Sequence, residues 1–129
     1  MPKAIDIKSV LEGLTPLRGR GGETTEAEAA AAFATLETFG NGAVFTGSFD
    51  GMSEWERHQG GDELVHILEG ETELTILTDA HSREVLTLKG GMLTVVPQGC
   101  WHRFNAPSGV TVLTVTPQPT DHSTAEDPR

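Results

Sequence analysis

From Phe33 onward the chain is written in short runs of alternating apolar and polar residues, and Gly, Asp, Asn or Pro closes each run. A period of two is the signature of strands buried on one face. Residues 33–39 and 43–49 flank Asn41-Gly42, a pair that supplies the positive φ angles of a tight hairpin turn. Further runs follow at 64–68, 72–77, 85–88, 93–96 and 110–116. Short strands at this spacing predict an all-β sandwich or barrel. A chain of 129 residues matches one hydrophobic core, so one such unit is expected.

The first 32 residues read differently. Residues 5–14 are weakly patterned and end at Thr15-Pro16, and Arg18-Gly19-Arg20-Gly21-Gly22 predicts a flexible connection through its glycines. Thr24 or Thr25 would cap a short helix over Glu26–Ala32, with Glu26 and Glu28 in the turn where the helix dipole favours acids. The expected organisation is an N-terminal arm or lid with a short helix over 1–32, a β-barrel over 33–117, and a flexible tail over 118–129.

Nine basic residues stand against nineteen acidic ones, and the basic ones are scattered. Such a surface offers no basic stripe to displace counterions, which argues against nucleic acid and anionic membrane as partners. No apolar run approaches the ~20 residues that span a bilayer, and no signal-peptide-like stretch follows the first residues. The single cysteine, Cys100, has no internal disulfide partner. Together these features lead to the expectation of a cytoplasmic protein.

Chemistry concentrates in two histidine-bearing segments, 55–70 and 91–105. On strand parity Glu56 and His58 share a face, and Glu63, Val65 and Ile67 share a face opposite to Leu64, His66 and Leu68. If Val65 and Ile67 line the interior, Glu63 lies there with them. A carboxylate entering an apolar interior requires a cation, a metal or hydrogen-bond donors. His58 and His102 are the companions at hand. Most histidines are surface or structural groups, and His66 on the outer face, His81 in a loop and His122 in the tail are read that way. Cys100 and His102 lie two apart with Trp101 between them, and Cys100 is read as a buried structural thiol rather than a nucleophile. Glycines 60, 61, 70, 91 and 99 shape turns, because no phosphate-binding pattern surrounds them. Glu69, Glu71 and Glu73 alternate along a solvated face.

These two segments resemble the motifs of the cupin superfamily. The first family motif runs His-x-His, three or four residues, Glu, six residues, Gly, and His58, Glu63 and Gly70 stand at that spacing. The second runs Gly, five residues, Pro-x-Gly, two residues, His, and Gly91, Pro97, Gly99 and His102 match it in register. Three departures accompany the matches. Glu56 replaces the first histidine, Gly51 stands one residue closer than the pattern asks, and Asn105 comes one residue early. The resemblance implies a double-stranded β-helix, or jelly-roll barrel. It also implies a divalent metal, Fe, Mn, Ni or Zn, held by His58, Glu63 and His102 with Glu56 as a substitute fourth ligand.

The function expected from this reading is metal-dependent catalysis on a small organic molecule in the barrel, with Glu56 as fourth ligand or general base. The alternative is a ligand-binding or sensing module without turnover. A homodimer is also expected. Leu64, His66 and Leu68 on the outside of their strand require a cover, which residues 5–17 or a second subunit would provide, and small cupins commonly pair sheet against sheet.

Overall fold

The computed structural model describes residues 2–129. In chain order it contains α1 (Ile7–Glu12), β1 (Leu17–Arg20), α2 (Glu26–Ala32), β2 (Phe33–Phe39), β3 (Gly42–Met52), β4 (Trp55–His58), β5 (Glu63–Ile76), β6 (Glu84–Lys89), β7 (Leu93–Val96), β8 (His102–Pro117) and β9 (Thr120–Ser123). The strands curl into a jelly-roll β-barrel, as the all-β reading expected.

Two long strands, β5 and β8, close it. The C-terminal half of β8 pairs β3 on one edge, from Gly42↔Pro117 to Phe49↔Val110, and the start of β5 on the other, from Leu64↔Val115 to Ile67↔Val112. The N-terminal half of β8 pairs β4 at Glu56↔His102 and the end of β5 from Glu73↔Asn105 to Ile76↔His102. Each long strand therefore has different partners along its two halves and bends between them. Sequence runs 64–68 and 72–77 are the two halves of the single strand β5.

Burial shows the bend directly. Glu63, Val65 and Ile67 point inward, and beyond the register shifts the inward set becomes Thr72, Leu74 and Ile76. At the corner Gly70 has φ +81°, and a Cβ there would collide with the carbonyl oxygen of Gly109 on β8. Glycine is therefore required at position 70 by both conformation and space. Val65, Ile67, Leu74, Val96, Phe104 and Val112 form the heart of the core. Burying each such side chain stabilises the fold by about 1.5–3 kcal/mol, and a one-residue slip would turn a whole inward set outward.

At the N-terminus, α2 carries the expected cap, and Thr25 is the residue that makes it. Its hydroxyl accepts from the Glu28 amide at 3.1 Å, and the Glu28 carboxylate accepts from the Thr25 amide at 3.0 Å. The flexible connection expected at 18–22 is corrected for its first residues, since Leu17–Arg20 is a strand parallel to β3. Leu17 is buried against the core, and the Gly19 amide donates to the Asp50 carboxylate, so packing overrides the glycine content.

The hairpin turn also shifts by one residue. Phe39 pairs Gly42 across Gly40-Asn41, with Gly40 at φ +56°, while a Cβ on Gly42 would collide with the Thr116 carbonyl oxygen. The loose tail expected after Pro117 is corrected as well. Residues Thr120–Ser123 form β9, antiparallel to β4 from His58↔Thr120 to Trp55↔Ser123. Arg57 and Gln59 both donate to the Asp121 carboxylate, at 3.0 and 2.9 Å, and tie the strand down. No helix among the described residues is long and apolar enough to cross a membrane.

Candidate metal centre

Three strand ends meet at one point inside the barrel. β4 ends on His58, β5 begins on Glu63 and β8 begins on His102. All three side chains are buried, with His102 only 1% exposed. Glu63 Oε1 lies 2.9 Å from His102 Nε2, and Glu63 Oε2 lies 3.4 Å from His58 Nε2. One donor atom from each of the three lies within 4.8 Å of the others. Strand parity thus brings together the three residues that the sequence singled out.

Each side chain is oriented from behind. His102 Nδ1 lies 3.1 Å from the Cys100 carbonyl oxygen, which only accepts, so the ring carries a proton on Nδ1 and presents Nε2 inward. His58 Nδ1 meets the Thr120 hydroxyl at 3.0 Å. Thr116 Oγ1 donates to Glu63 Oε2 at 2.6 Å, and the Thr114 hydroxyl lies 2.9 Å from that of Thr116. Such outer partners are what fix the orientation and basicity of metal ligands.

The inward ends are the opposite case. Among the described residues, His58 Nε2, Glu63 Oε1 and His102 Nε2 are buried without a hydrogen-bond partner, because the 2.9 Å approach lacks hydrogen-bond alignment. Leaving one buried polar atom unpaired costs about 1–3 kcal/mol. Three converging on one point fit a cation. Two imidazole nitrogens and a carboxylate oxygen are a donor set suited to divalent Fe, Mn, Ni or Zn.

Electrostatics ties the three residues together. Burial alone would raise the Glu63 pKa, but the two imidazoles that face it, His102 first and then His58, hold it well below the ordinary carboxylate range. Burial alone would lower the His102 pKa, yet Glu63, with smaller help from Glu56 and the Cys100 carbonyl, holds it above the ordinary imidazole value. A metal ion binding here would compete with that proton.

Glu56 shares the inward face of β4 with His58, as period two requires, but it stays outside the three-residue group. Its carboxylate lies 3.6 Å from the Arg20 guanidinium. The counter-charge comes from β1, the segment that the sequence presented as a flexible connection. Beside this pair lies a cavity of about 220 Å³, lined by Glu63, Arg20 and the rings of Phe33, Phe45, Phe49 and Phe104.

The other histidines fall elsewhere. His66 is half-buried on the outer face, His81 is exposed, and His122 on β9 lies 3.5 Å from Glu54 near the cavity. Cys100 packs against the core, and its carbonyl rather than its thiol faces His102. Burial and the nearby Asp62 charge push the thiol pKa up, which disfavours a reactive thiolate. Sequence reasoning did not single out Arg20, Thr116 or Thr120. Thr116 was findable, since it shares inward parity with Val110 and Val112 on β8, whereas β1 and β9 are too short to show a period.

The cupin domain family matches residues 49–116, slightly more than half of the chain. The uncharacterized protein YdbB of Bacillus subtilis is 39% identical over 61 residues, which cover 47% of this chain and 47% of that protein. The chain thus spans about half the length of the curated relative it matches. A cupin-2 domain protein of Shewanella frigidimarina superposes with a TM-score of 0.57 at 18% identity, over 67% of this chain and 80% of that one. Hydroquinone 1,2-dioxygenase from a Sphingomonas species, with 4-hydroxybenzoate bound, gives 0.58 at 15% identity over 72% and 67% of the two chains. Bacillus subtilis oxalate decarboxylase, described with Mn(II) centres, gives 0.59 at 14% over 70% and 26%. At these identities the structural likeness is one of fold. The matched residues 49–116 contain both histidine segments and the whole of the three-residue group, and with the jelly-roll topology they establish that the chain belongs to the cupin family.

Proposed function

We propose that the protein is a metal-dependent enzyme acting on a small organic molecule inside the barrel, with His58, Glu63 and His102 holding one divalent ion. The observation that carries this reading is the convergence of three buried, unpartnered donor atoms beside a cavity. The likeness in fold to a dioxygenase and to an oxalate decarboxylase with Mn(II) centres supports it. A bound ion would supply Lewis-acid polarisation, or redox chemistry where the metal allows it.

The protein's own groups prepare that site. Thr116 holds the Glu63 carboxylate in place, while Thr120 and the Cys100 carbonyl set the two imidazoles. The phenyl rings give the cavity an apolar wall. Glu56 lies across the β4–β8 pairing from His102 and borders the cavity, a position suited to accepting a proton from a bound molecule.

Metal analysis of protein purified without chelator tests the reading. We expect about one transition-metal ion per chain, lost in His58→Ala and in His102→Ala and kept in His66→Ala and His81→Ala. Equal loss in all four variants, or no ion in the parent, would contradict it. In the second case a metal-free binding module becomes the better description.

We further propose a homodimer in the cytoplasm. β7 extends the outer face of β5, with Leu93 opposite His66 and Val95 opposite Leu64, and Leu93 is 58% exposed. An apolar outer face of this kind is suited to a second copy of itself. Sedimentation equilibrium would return twice 13.8 kDa, and a mass near 13.8 kDa would show a monomer.

A further inference from the structure

Arg20 enters the cavity from β1. Its guanidinium lies over the Phe49 ring at 4.5 Å and the Phe33 ring at 5.2 Å, and the side chain is only 19% exposed. Stacking engages the flat face of a guanidinium and leaves its N–H edge for an in-plane acceptor. Among the described residues that edge makes no hydrogen bond. Its closest carboxylate, Glu56, stands at 3.6 Å, beyond hydrogen-bond length.

The backbone of Arg20 is held as firmly as the side chain. Arg20 pairs Gly51, whose φ is +99°, and a Cβ on Gly51 would collide with the amide and carbonyl of Arg20. The early glycine that departs from the family spacing is therefore the place where β1 docks.

We propose that Arg20 is the anion-recognising residue of this cavity, accepting the carboxylate of a small, largely apolar organic acid in place of Glu56. The inference deepens the metal-enzyme reading and rests on it for the chemistry done to that acid. Three observations select the ligand class. A guanidinium fork matches a carboxylate in geometry and charge. Four phenyl rings and Val112 share the remaining lining with several threonine hydroxyls, Gln118 and His122, which suits a flat, largely apolar body rather than a polyanion. About 220 Å³ is less than the roughly 300–1,000 Å³ that drug-sized ligands occupy, so the acid is small. Charge agrees as well. With a divalent ion beside Glu63, the positive charge of that ion and Arg20 exceeds the negative charge of Glu56 and Glu63 by one.

The probes are benzoate and its neutral isostere benzamide, titrated calorimetrically into the full chain with Zn²⁺ and without it. We expect the parent to prefer benzoate by about tenfold or more, the scale of a charge-assisted hydrogen-bond pair. Arg20→Gln should abolish the preference while binding benzamide like the parent. Glu56→Gln should tighten benzoate, because it removes the competing carboxylate, and a folding defect would not produce a gain. Zn²⁺ content should be the same in all three proteins. The proposal is overturned if the parent binds both probes alike, if Arg20→Gln keeps the preference, or if Glu56→Gln fails to strengthen benzoate. Retained Zn²⁺ with no benzoate preference would sink the Arg20 proposal alone. An Arg20-dependent preference in a protein that retains no metal would sink the metal reading alone.

Discussion

Two parts of the chain build the same cavity by different means. The candidate metal wall comes from the middle, where β4, β5 and β8 each present a proposed ligand at a strand end beside a glycine-bearing turn. Two further contributors come from the two ends: Arg20 on β1, which faces Glu56, and Thr120 on β9, which meets His58. Ligands of the first kind follow from local parity and spacing. Those of the second kind reach the site only through pairing across the sheet, as in the contact between Thr120 and His58, 62 residues apart. For His58, the donor and the partner that orients it are therefore separately encoded, and each can be removed without the other.

Removing a donor should have the largest effect. Glu63→Ala takes away the carboxylate that both imidazoles face, and metal retention should fall by more than about a hundredfold, beyond the usual cost of an outer partner. The metal-free variant should also lose about 3 kcal/mol or more in urea denaturation, the scale of breaking a buried charged pair. Undiminished metal content would place the ion elsewhere.

Removing a support should cost less. Thr120→Val keeps the shape of β9 and deletes the hydroxyl at His58 Nδ1, so metal affinity should drop by about 10–100-fold with little change in unfolding. If Thr120→Val binds metal as the parent does, the ends of the chain do not serve the metal wall.

The same contrast has a pH signature. His102 holds its proton above the ordinary imidazole value, so its pairing with Glu63 stabilises the metal-free fold fully below about pH 6.5 and is lost as pH rises through the raised pKa. Glu63 acts in the other direction. Its depressed pKa contributes stability above about pH 4 that is lost as pH falls through the folded value. Metal binding needs the inward nitrogen of His102 free, so affinity should rise with pH across the window in which metal-free stability falls, by up to about tenfold per unit for one displaced proton. Parallel metal titrations and denaturation curves from pH 5 to 9 would check this, and an affinity flat across that range would contradict it.

Gly51→Ala should act on the Arg20 side of the cavity alone. The strained φ and the close approach of β1 predict a loss of about 1–3 kcal/mol with metal affinity retained. Cys100→Ser should do least, changing metal affinity by less than about twofold, because the carbonyl of residue 100 and not its thiol supports His102. A larger loss would give the thiol a role that its position does not suggest.

Much of this was legible before the structure. The inward set Glu63, Val65 and Ile67, the convergence of His58 and His102 on Glu63, and the capped helix over Glu26–Ala32 all follow from periods and caps carried by neighbouring residues. What was not legible depends on distant pairing. Residues 18–20 read as a glycine-rich linker, and only their docking on β3 makes them a strand. Residues 120–123 are polar and lie between prolines at 119 and 128, so nothing local marks them as the partner of β4. Glu56 was read as a ligand because it stands where a histidine would. The residue it faces, Arg20, lies in a segment with no strand signal.

The central claim is that His58, Glu63 and His102 together hold one ion. Electron spin-echo modulation of the Cu²⁺-loaded protein counts coordinated imidazoles directly. The account predicts two in the parent, one in His58→Ala, one in His102→Ala and two in His66→Ala. No imidazole in the parent, or two surviving in both His58→Ala and His102→Ala, would contradict it.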